Sequence, residues 1–286
     1  MNKKNDFSQK MHSYLRHPAS FIMMILVKLA ALITFTVLIF LIVYILVHGV
    51  PYLKPSLFSL HYNSENASLM PALINTVIMT LLSLLLAVPI GIFSAIFLAE
   101  YAGKGNKFVD IIRLTTETLS GIPSIVYGLF GMLFFVSTCH WGFSLLAGAF
   151  TLAIMILPLI MRTTEEALLS VPDSYREGSF GLGAGKLRTV FYIVLPSAVP
   201  GILAGVILAI GRIVGETAAL IYTAGSVAQV PSSVLGSGRT LAVHMYLLAS
   251  EGLYMDQAYA TAVILLVLVV VINTLSGMVA KKLTKA

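Results

Sequence analysis

Charged side chains are scarce in this sequence. Only 10% of the 286 residues are Asp, Glu, Lys or Arg, whereas soluble globular domains contain about 25%. Apolar residues make up 58% of the chain, and the mean hydropathy is +0.95. The composition excludes an ordinary soluble domain and predicts an all-α protein that crosses a membrane several times.

Cysteine is also nearly absent, because Cys139 is the single one in the chain. One cysteine excludes an internal disulfide and a multi-cysteine metal site. A catalytic role is disfavoured by its position in a very short loop. The adjacent His140 is interpreted as an interfacial residue, so no metal site is predicted.

The sequence lacks a phosphate-binding Walker A loop, which requires Gly, four residues, Gly-Lys and then Ser or Thr. The nearest match is Gly185-Lys186, but Phe180 stands five positions before Gly185 and Leu187 follows the lysine. The chain is therefore predicted to bind no ATP or other cofactor and to be no enzyme. Energy for any pumping would come from a partner subunit or an ion gradient.

Long apolar runs are abundant. Six of them are close to or above the ~20 residues that cross the hydrocarbon core as a helix: 29–47, 73–98, 118–136, 144–160, 198–221 and 258–279. We predict a six-span helical bundle with two parts. Residues 1–70 would form an N-terminal tail, the first span and an outer loop, and residues 71–286 a core domain of five spans.

The basic residues predict the orientation of these spans. Fifteen of the 18 Lys and Arg residues lie in segments on the side of the termini, against Lys54 and Arg239 on the other side, and Arg212 lies within a span. Cytoplasmic segments are enriched in Lys and Arg. Both termini and the polar segment 173–196 are therefore predicted to be cytoplasmic. The net charge of +6 follows from this pattern and does not indicate a nucleic-acid partner.

Segment 173–196, DSYREGSFGLGAGKLRTVFYIVLP, predicts two short helices joined by a glycine-rich turn. Ser170 and Pro172 are plausible start signals for the first helix, as is Ser174, which has capping-box spacing to Glu177. Three alternating glycines then interrupt the helix. Pro196 and Pro200 are expected to end or kink the second helix.

This segment resembles the EAA loop of ABC importer permeases. The matching positions are Glu177, Gly183, Ile193, Leu195 and Pro196, and Gly178 and Ser179 replace the two alanines with other small residues. The resemblance implies that the segment is a coupling helix, which docks into a cleft of an ATP-hydrolysing subunit.

The most unusual charges within a span are Arg212 and Glu216. A charge at bilayer depth costs roughly 2.5–3.5 kcal/mol, so both are expected to face the bundle interior or a water-filled path. Their i, i+4 spacing predicts that they share one helix face and can pair. Arg212 suits phosphate oxygens because guanidinium is a planar fork of donors. The alternative is an ion pair that only fixes helix packing.

A second group surrounds the start of the third run, where Gly and Pro weaken the helix in SGIPSIVYGLFG. Its hydroxyls are those of Ser120, Ser124 and Tyr127. A broken helix start can direct backbone N–H groups at an anion. Together with Arg212 and Glu216, these residues form the predicted anion pathway.

Three stretches resemble the PstA family of phosphate importer permeases: GIPSIVYGLFG, GRIVGETAALIYTAG and GRTLAVHMYLLASEG. Where that family usually has Pro after GETA, this chain has Ala219. The resemblance implies a multi-pass subunit of the bacterial inner membrane that translocates inorganic phosphate. It also implies three partners: a PstC-like sister permease, a PstB-like ATPase dimer that uses the ATP, and an extracytoplasmic PstS-like phosphate-binding protein.

Two alternatives remain open. The same architecture could carry another oxyanion, such as phosphonate, molybdate or sulfate. An ion-coupled secondary transporter is disfavoured, because the spans contain no carboxylate besides Glu216 to form a proton relay.

Overall fold

The computed structural model describes residues 18–102 and 105–285, and the regular structure within these ranges is helical. The helices are α1 (Pro18–Gly49), α2 (Met70–Ile96), α3 (Lys107–Ser120), α4 (Ser124–Gly131), α5 (Leu145–Leu169), α6 (Asp173–Gly181), α7 (Lys186–Thr189), α8 (Leu195–Gly215), α9 (Ala218–Ile221), α10 (Leu241–Glu251) and α11 (Met255–Lys285). The all-α bundle is confirmed. The first 17 residues of the predicted N-terminal tail lie outside the described ranges.

Wide π-helical turns extend three of these helices. They follow α2 at Phe97–Tyr101, follow α4 at Met132–Thr138, and join α7 to α8 at Val190–Val194. A π-helical turn closes i→i+5 hydrogen bonds and usually occurs as a single turn within an α-helix. The chain therefore stays helical from Lys186 to Gly215.

Five described helices are long and apolar enough to span a membrane: Ala19–Tyr52, Met70–Tyr101, Leu145–Leu169, Lys186–Gly215 and Met255–Met278. The sixth predicted span, 118–136, is not one straight helix. It falls on a pair of helices, Lys107–Ser120 and Ser124–Thr138, whose axes differ by 101°. The third predicted span was therefore wrong in its shape and in its first residue.

The bend between α3 and α4 follows from the local sequence. Pro123 has no backbone N–H and disfavours the helical conformation of the residue before it. Across the bend, the Tyr127 hydroxyl donates to the carbonyl oxygen of Leu119 at 2.8 Å. This hydrogen bond ties the first turns of α4 to the end of α3.

The core of the bundle lies between α2, α5 and α8. Small residues permit close contact there, because a Cβ on Gly201 would meet Ala167 and a Cβ on Gly205 would overlap Thr163. These two glycines therefore bring α8 directly against α5. By contrast, a Cβ on Gly211 or Gly215 would meet nothing within 4 Å. The outer part of α8 therefore presents an open face.

The predicted fifth span, 198–221, was wrong at both ends. The helix begins at Lys186, because the wide turn at Val190–Val194 carries the chain into α8 and Pro196 lies in the first turn of α8. It stops at Gly215, since Glu216 adopts an extended conformation with ψ 129°. Pro200 is accommodated inside α8 without ending it.

Helix α1 packs on the rest of the chain near its C-terminal end. Gly49 lies against the backbone of Tyr259 and the side chain of Val263 in α11, and the hydroxyls of Tyr44 and Tyr259 are 3.4 Å apart. Most of its large apolar side chains are exposed in the isolated chain. This exposure fits a helix surrounded by lipid or by another subunit.

We call the end of the bundle that carries residues 173–196 the loop end, and the opposite end the far end. At the far end, segment 222–240 packs over the start of α5. The N–H groups of Ser144, Leu145 and Leu146 donate to carbonyl oxygens of Thr223, Gly236 and Val234, at 3.0, 3.1 and 2.8 Å respectively. The segment therefore satisfies donors that the first turn of a helix leaves unpaired.

Helix α2 holds the same segment from the other side. The Asn75 side-chain amide donates to the carbonyl oxygens of Gln229 and Arg239, at 2.8 and 3.1 Å. The Thr76 hydroxyl accepts from the N–H of Leu241, the first residue of α10, at 2.8 Å. Long polar segments near a membrane must have paired backbone groups, and these contacts supply the pairing.

His244 in α10 makes the stability of the far end sensitive to pH. Burial and the nearby charge of Arg239 lower the pKa of His244 from 6.5 to about 3, and a backbone contact with Ala67 opposes the shift. Below about pH 6.5 the unfolded chain binds a proton on this residue that the folded chain does not. The folded state should therefore lose stability as the pH falls from about 6.5 towards 3, by up to about 1.4 kcal/mol per pH unit.

Melting temperatures measured between pH 7.5 and 4.5 check this expectation. His244→Asn should flatten the pH dependence in this window, whatever it does to the melting temperature at neutral pH. His61→Asn is the matched control, because His61 is exposed at the same end and should leave the slope unchanged. Equal slopes for wild type and His244→Asn would contradict the role of this residue.

Candidate functional site

The predicted coupling loop forms a helix–turn–helix at the loop end. Helix α6 and helix α7 are joined by residues 182–185, and Gly183 has φ +82°, in the left-handed region that favours glycine. The N–H of Gly183 donates to the Phe180 carbonyl oxygen at 2.9 Å. The EAA-like pattern therefore places a glycine where the backbone needs one.

The predicted capping box does not form. Helix α6 begins at Asp173 with Pro172 in the capping position and no side-chain cap, so Ser174 already lies inside the first turn. The reason is that Pro172 fixes the backbone angle one position earlier than the serine-based signal. Glu177 is thereby released from a capping role, and it is exposed and makes no hydrogen bond to the described residues.

The tip of the loop is exposed and apolar. Leu182 is 91% exposed, and Phe180, Tyr175 and Leu187 are also exposed. A Cβ added to Gly178, Gly181, Gly183 or Gly185 would meet nothing within 4 Å. An open surface with exposed large apolar side chains is typical of a protein–protein contact site.

The remaining residues of the EAA pattern attach this tip to the bundle. The hydroxyls of Ser179 and Thr189 are 2.8 Å apart and join α6 to α7. Leu195 packs against a buried cluster that includes Val190, Val194 and Leu168. Gly178 lies on the open surface, Ile193 is 37% exposed and Pro196 is exposed, so the pattern contains both surface and supporting positions.

An ion pair that the sequence did not indicate anchors α6. The guanidinium of Arg176 contacts the carboxylate of Glu100 at 2.6 Å, and their side chains are 15% and 8% exposed. Arg176 also donates to the carbonyl oxygens of Val171 at 2.7 Å and Leu168 at 2.9 Å. The hydrogen bond to Glu100 raises the pKa of Arg176 above its ordinary value, so the guanidinium stays charged. It connects the coupling loop to the end of the α2 span.

The predicted anion pathway is partly assembled in the structure. Helix α9 lies against α4, where a Cβ on Gly128 would meet the backbone of Ala219 at 2.8 Å. This close approach brings the segment that follows α8 against α4, the helix that carries Tyr127. Among the described residues, no hydrogen bond joins Arg212 to Tyr127, whose hydroxyl donates to Leu119.

Arg212 and Glu216 do not share a helix face, contrary to the prediction. Helix α8 ends between them, and the Glu216 carboxylate accepts a hydrogen bond from the Ala219 N–H at 3.1 Å. A proline at position 219 would have no N–H for this bond, so Ala219 permits it. Among the described residues, no hydrogen bond or ion pair engages the half-buried Arg212 side chain.

The two serines lie apart from each other. Ser124 is the first residue of α4 and is half-buried. Ser120 ends α3 and lines a cavity of about 190 Å³ together with Arg113, Glu165 and Arg162. Ser120 therefore belongs to a charged cavity, in which Arg113 pairs with Glu165 at 2.6 Å, and no contact in the structure joins it to Arg212.

A larger cavity opens beside α9. It has a volume of about 740 Å³ and is mostly apolar, with residues from α1, α4, α10 and α11 in its wall. Thr217 and Tyr222 line it next to the end of α8. The segment that carries Glu216 therefore borders open space on one side and the core on the other.

The family model for the inner membrane component of binding-protein-dependent transport systems matches residues 87–285. The chain belongs to this family. It is thus a multi-pass inner-membrane protein and one part of an ABC transporter assembly. The matched region contains the coupling loop, the Arg176–Glu100 pair and Arg212.

Similar proteins include several permeases. A probable ABC transporter permease protein of Bacillus subtilis, YqgI, is 35% identical over 278 residues, which are 90% of this chain and 94% of the relative. The phosphate transport system permease protein PstA 1 of Mycobacterium tuberculosis is 35% identical over 211 residues, with 73% and 69% covered. PstA of Haemophilus influenzae is 39% identical over 178 residues, 62% of each chain.

Solved structures share the fold of this family member. A chain of a bacterial ABC transporter involved in the import of alginate superposes with a TM-score of 0.69 at 17% identity, covering 96% of this chain and 99% of that one. A chain of the MetNI methionine ABC transporter gives a TM-score of 0.62 at 22% identity, with 76% and 96% covered. Both likenesses concern the architecture of the membrane subunit.

Proposed function

We propose that this chain is the permease subunit of an ATP-driven importer that translocates inorganic phosphate across the bacterial cytoplasmic membrane. The relatives named as phosphate permeases, at 35% and 39% identity, support the substrate. The observation that carries the mechanism is the unpaired guanidinium of Arg212 at the end of α8. A charge within a span without a protein counter-ion is suited to a mobile anion.

The proposed orientation places both termini and the loop end in the cytoplasm, as the distribution of Lys and Arg favours. The exposed tip around Leu182 then contacts a PstB-like ATPase dimer, which binds and hydrolyses the ATP. The chain itself is non-catalytic and binds no cofactor. A PstC-like sister permease faces the open side of α8, and a PstS-like binding protein delivers phosphate at the far end.

In this proposal Arg212 binds the phosphate oxygens through two parallel N–H donors. Ser124 contributes a hydroxyl at the start of α4, and Ser120 lies across the α3–α4 bend. Tyr127 supports this wall of the path by donating its hydroxyl to the Leu119 carbonyl oxygen. Glu216 acts through the α9 backbone and shapes the turn that follows Arg212. The helical segment Lys186–Gly215 joins the coupling loop to Arg212 without interruption. A pull on the loop therefore moves Arg212, and the difference in phosphate affinity between the two positions drives release.

Arg212→Gln tests the proposal. Loss of charge-assisted hydrogen bonds to the anion should lower phosphate uptake by the reconstituted complex about 10- to 100-fold. Uptake by Arg212→Lys should lie between that of the wild type and that of Arg212→Gln. Lysine keeps the positive charge but lacks the paired N–H donors of the guanidinium. The measurement is radiolabelled phosphate uptake into proteoliposomes at fixed ATP, with Lys54→Gln as a control at an exposed cation. Unchanged uptake in Arg212→Gln would overturn the proposed pathway.

Two further arms of the assay address the alternatives. Competition by phosphonate, molybdate and sulfate measures the anion preference directly, and phosphate should compete best. Depleting ATP should stop uptake, whereas an uncoupler at constant ATP should not. The reverse result would indicate an ion-coupled transporter.

A further inference from the structure

A second unpaired guanidinium lies at the far end, where Arg239 precedes α10. The residue is 6% exposed, and its Nε and Nη2 atoms are buried without a hydrogen-bond partner among the described residues. No described Asp or Glu forms an ion pair with it. A buried charge is strongly unfavourable unless it is paired, so this site lacks its counter-charge.

The neighbours of Arg239 cannot supply that charge. The guanidinium lies 4.7 Å from the centre of the Tyr62 ring, and a cation–π contact attracts a cation without neutralising it. The His244 ring is perpendicular to Tyr62 at 6.1 Å. It carries no negative charge, and neither of its buried ring nitrogens reaches hydrogen-bonding geometry with a described residue.

Polar atoms of two residues that adjoin Arg239, in sequence or through its backbone, are also unsatisfied. The hydroxyl of Thr240, the residue that precedes α10, is buried and unpaired, and it does not cap the helix. The Asn75 side-chain oxygen is a buried acceptor without a hydrogen-bond partner. The side-chain N–H groups of Asn75 already donate to carbonyl oxygens of segment 222–240. Donors therefore predominate among the orphaned atoms, since Arg239 and Thr240 contribute three.

We propose that Arg239 and Thr240 hold a small inorganic anion, such as chloride or phosphate, between segment 222–240 and the start of α10. Water could pair the donors, but it would leave the guanidinium charge uncompensated in a buried site. An anion satisfies the donors and the charge together. Its position beside Asn75 and Tyr62 makes it a structural ion that fastens the far-end segment to α2. The inference does not depend on which substrate the chain transports.

The test compares melting temperatures of the purified full chain in gluconate, chloride and phosphate at equal ionic strength. Binding to the folded state alone raises the melting temperature by mass action. We expect chloride or phosphate to raise it by at least about 2 °C over gluconate, and the two salts distinguish the ions. Arg239→Gln should remove the difference, and Lys54→Gln, at the exposed far-end cation, should retain it.

If Arg239→Gln does not fold, crystallography of the wild-type protein provides a second test. Wild-type crystals grown in bromide should show an anomalous peak within hydrogen-bonding distance of Arg239 Nε if the ion is a halide, and phosphate should give tetrahedral density there if it is an oxyanion. A melting temperature that is the same in all three salts, with neither peak present, would overturn the proposal.

Discussion

Replacing Arg176 with methionine is expected to abolish coupled transport. The change removes the 2.6 Å ion pair with Glu100 and two hydrogen bonds to carbonyl oxygens, one at the end of α5 and one in the connection to α6. Glu100 is left as a buried, unpaired carboxylate, a loss that costs about 3–5 kcal/mol. Because this ion pair holds α6 against the α2 span, we expect its loss to lower uptake about 100-fold or more. ATP hydrolysis by the partner should fall much less.

Arg162→Met is the matched control for this substitution. Arg162 forms a comparable 2.9 Å pair with Glu166, but both side chains are 64% exposed, and exposed pairs contribute little to stability. The double variant Arg176→Met with Glu100→Leu should recover thermal stability, because it leaves no buried charge. Uptake in Arg176→Met equal to that in Arg162→Met would show that the pair does not transmit movement.

Replacing Leu182 with aspartate should separate the permease from its ATPase without disturbing its own fold. Leu182 is 91% exposed, and substitutions at such surface positions usually change stability by less than about 0.5 kcal/mol. An anchor buried in an interface contributes about 2 kcal/mol or more. Association with the ATPase subunit should therefore weaken by about 30-fold or more, and ATP-driven uptake should be lost. Binding of the purified subunits measures the first effect, and proteoliposome uptake measures the second.

Leu253→Asp makes the same chemical change at the opposite end of the bundle. Leu253 is 81% exposed and follows Gly252, which ends α10 in the left-handed conformation. This variant should bind the ATPase normally. Equal ATPase affinity for both variants would exclude the α6–α7 tip as the docking surface.

Hydropathy predicted the positions of five spans because each crossing requires an unbroken apolar run. Hydropathy failed at the third span, because composition does not distinguish one straight helix from two helices that meet at 101° at residues 121–123. Gly121 and Pro123 were visible in the sequence, but their effect depends on the hydrogen bond from Tyr127 to Leu119 that stabilises the bend.

The coupling loop was predictable because its residues follow a fixed spacing within one segment. The Arg176–Glu100 pair was not, since its partners are 76 positions apart and meet through the packing of α2 against the loop. Arg212 and Glu216 show the opposite error. Their i, i+4 spacing predicts pairing in a continuous helix, but α8 ends at Gly215, and Glu216 turns to the backbone of α9.

Two wide turns lie where the coupling loop is attached to the bundle. The turn at Phe97–Tyr101 carries Glu100, which pairs with Arg176, and the turn at Val190–Val194 leads from α7 into α8. Each contains a surplus residue relative to an α-helical turn. A lipid-embedded helix cannot fray, because its backbone groups would find no water. A surplus residue can pass to the next turn while the hydrogen bonds exchange partners one by one, and the residues that it passes rotate about the helix axis by about 100°. The two wide turns therefore allow the helical segments beside the coupling loop to rotate locally while their backbone stays fully bonded.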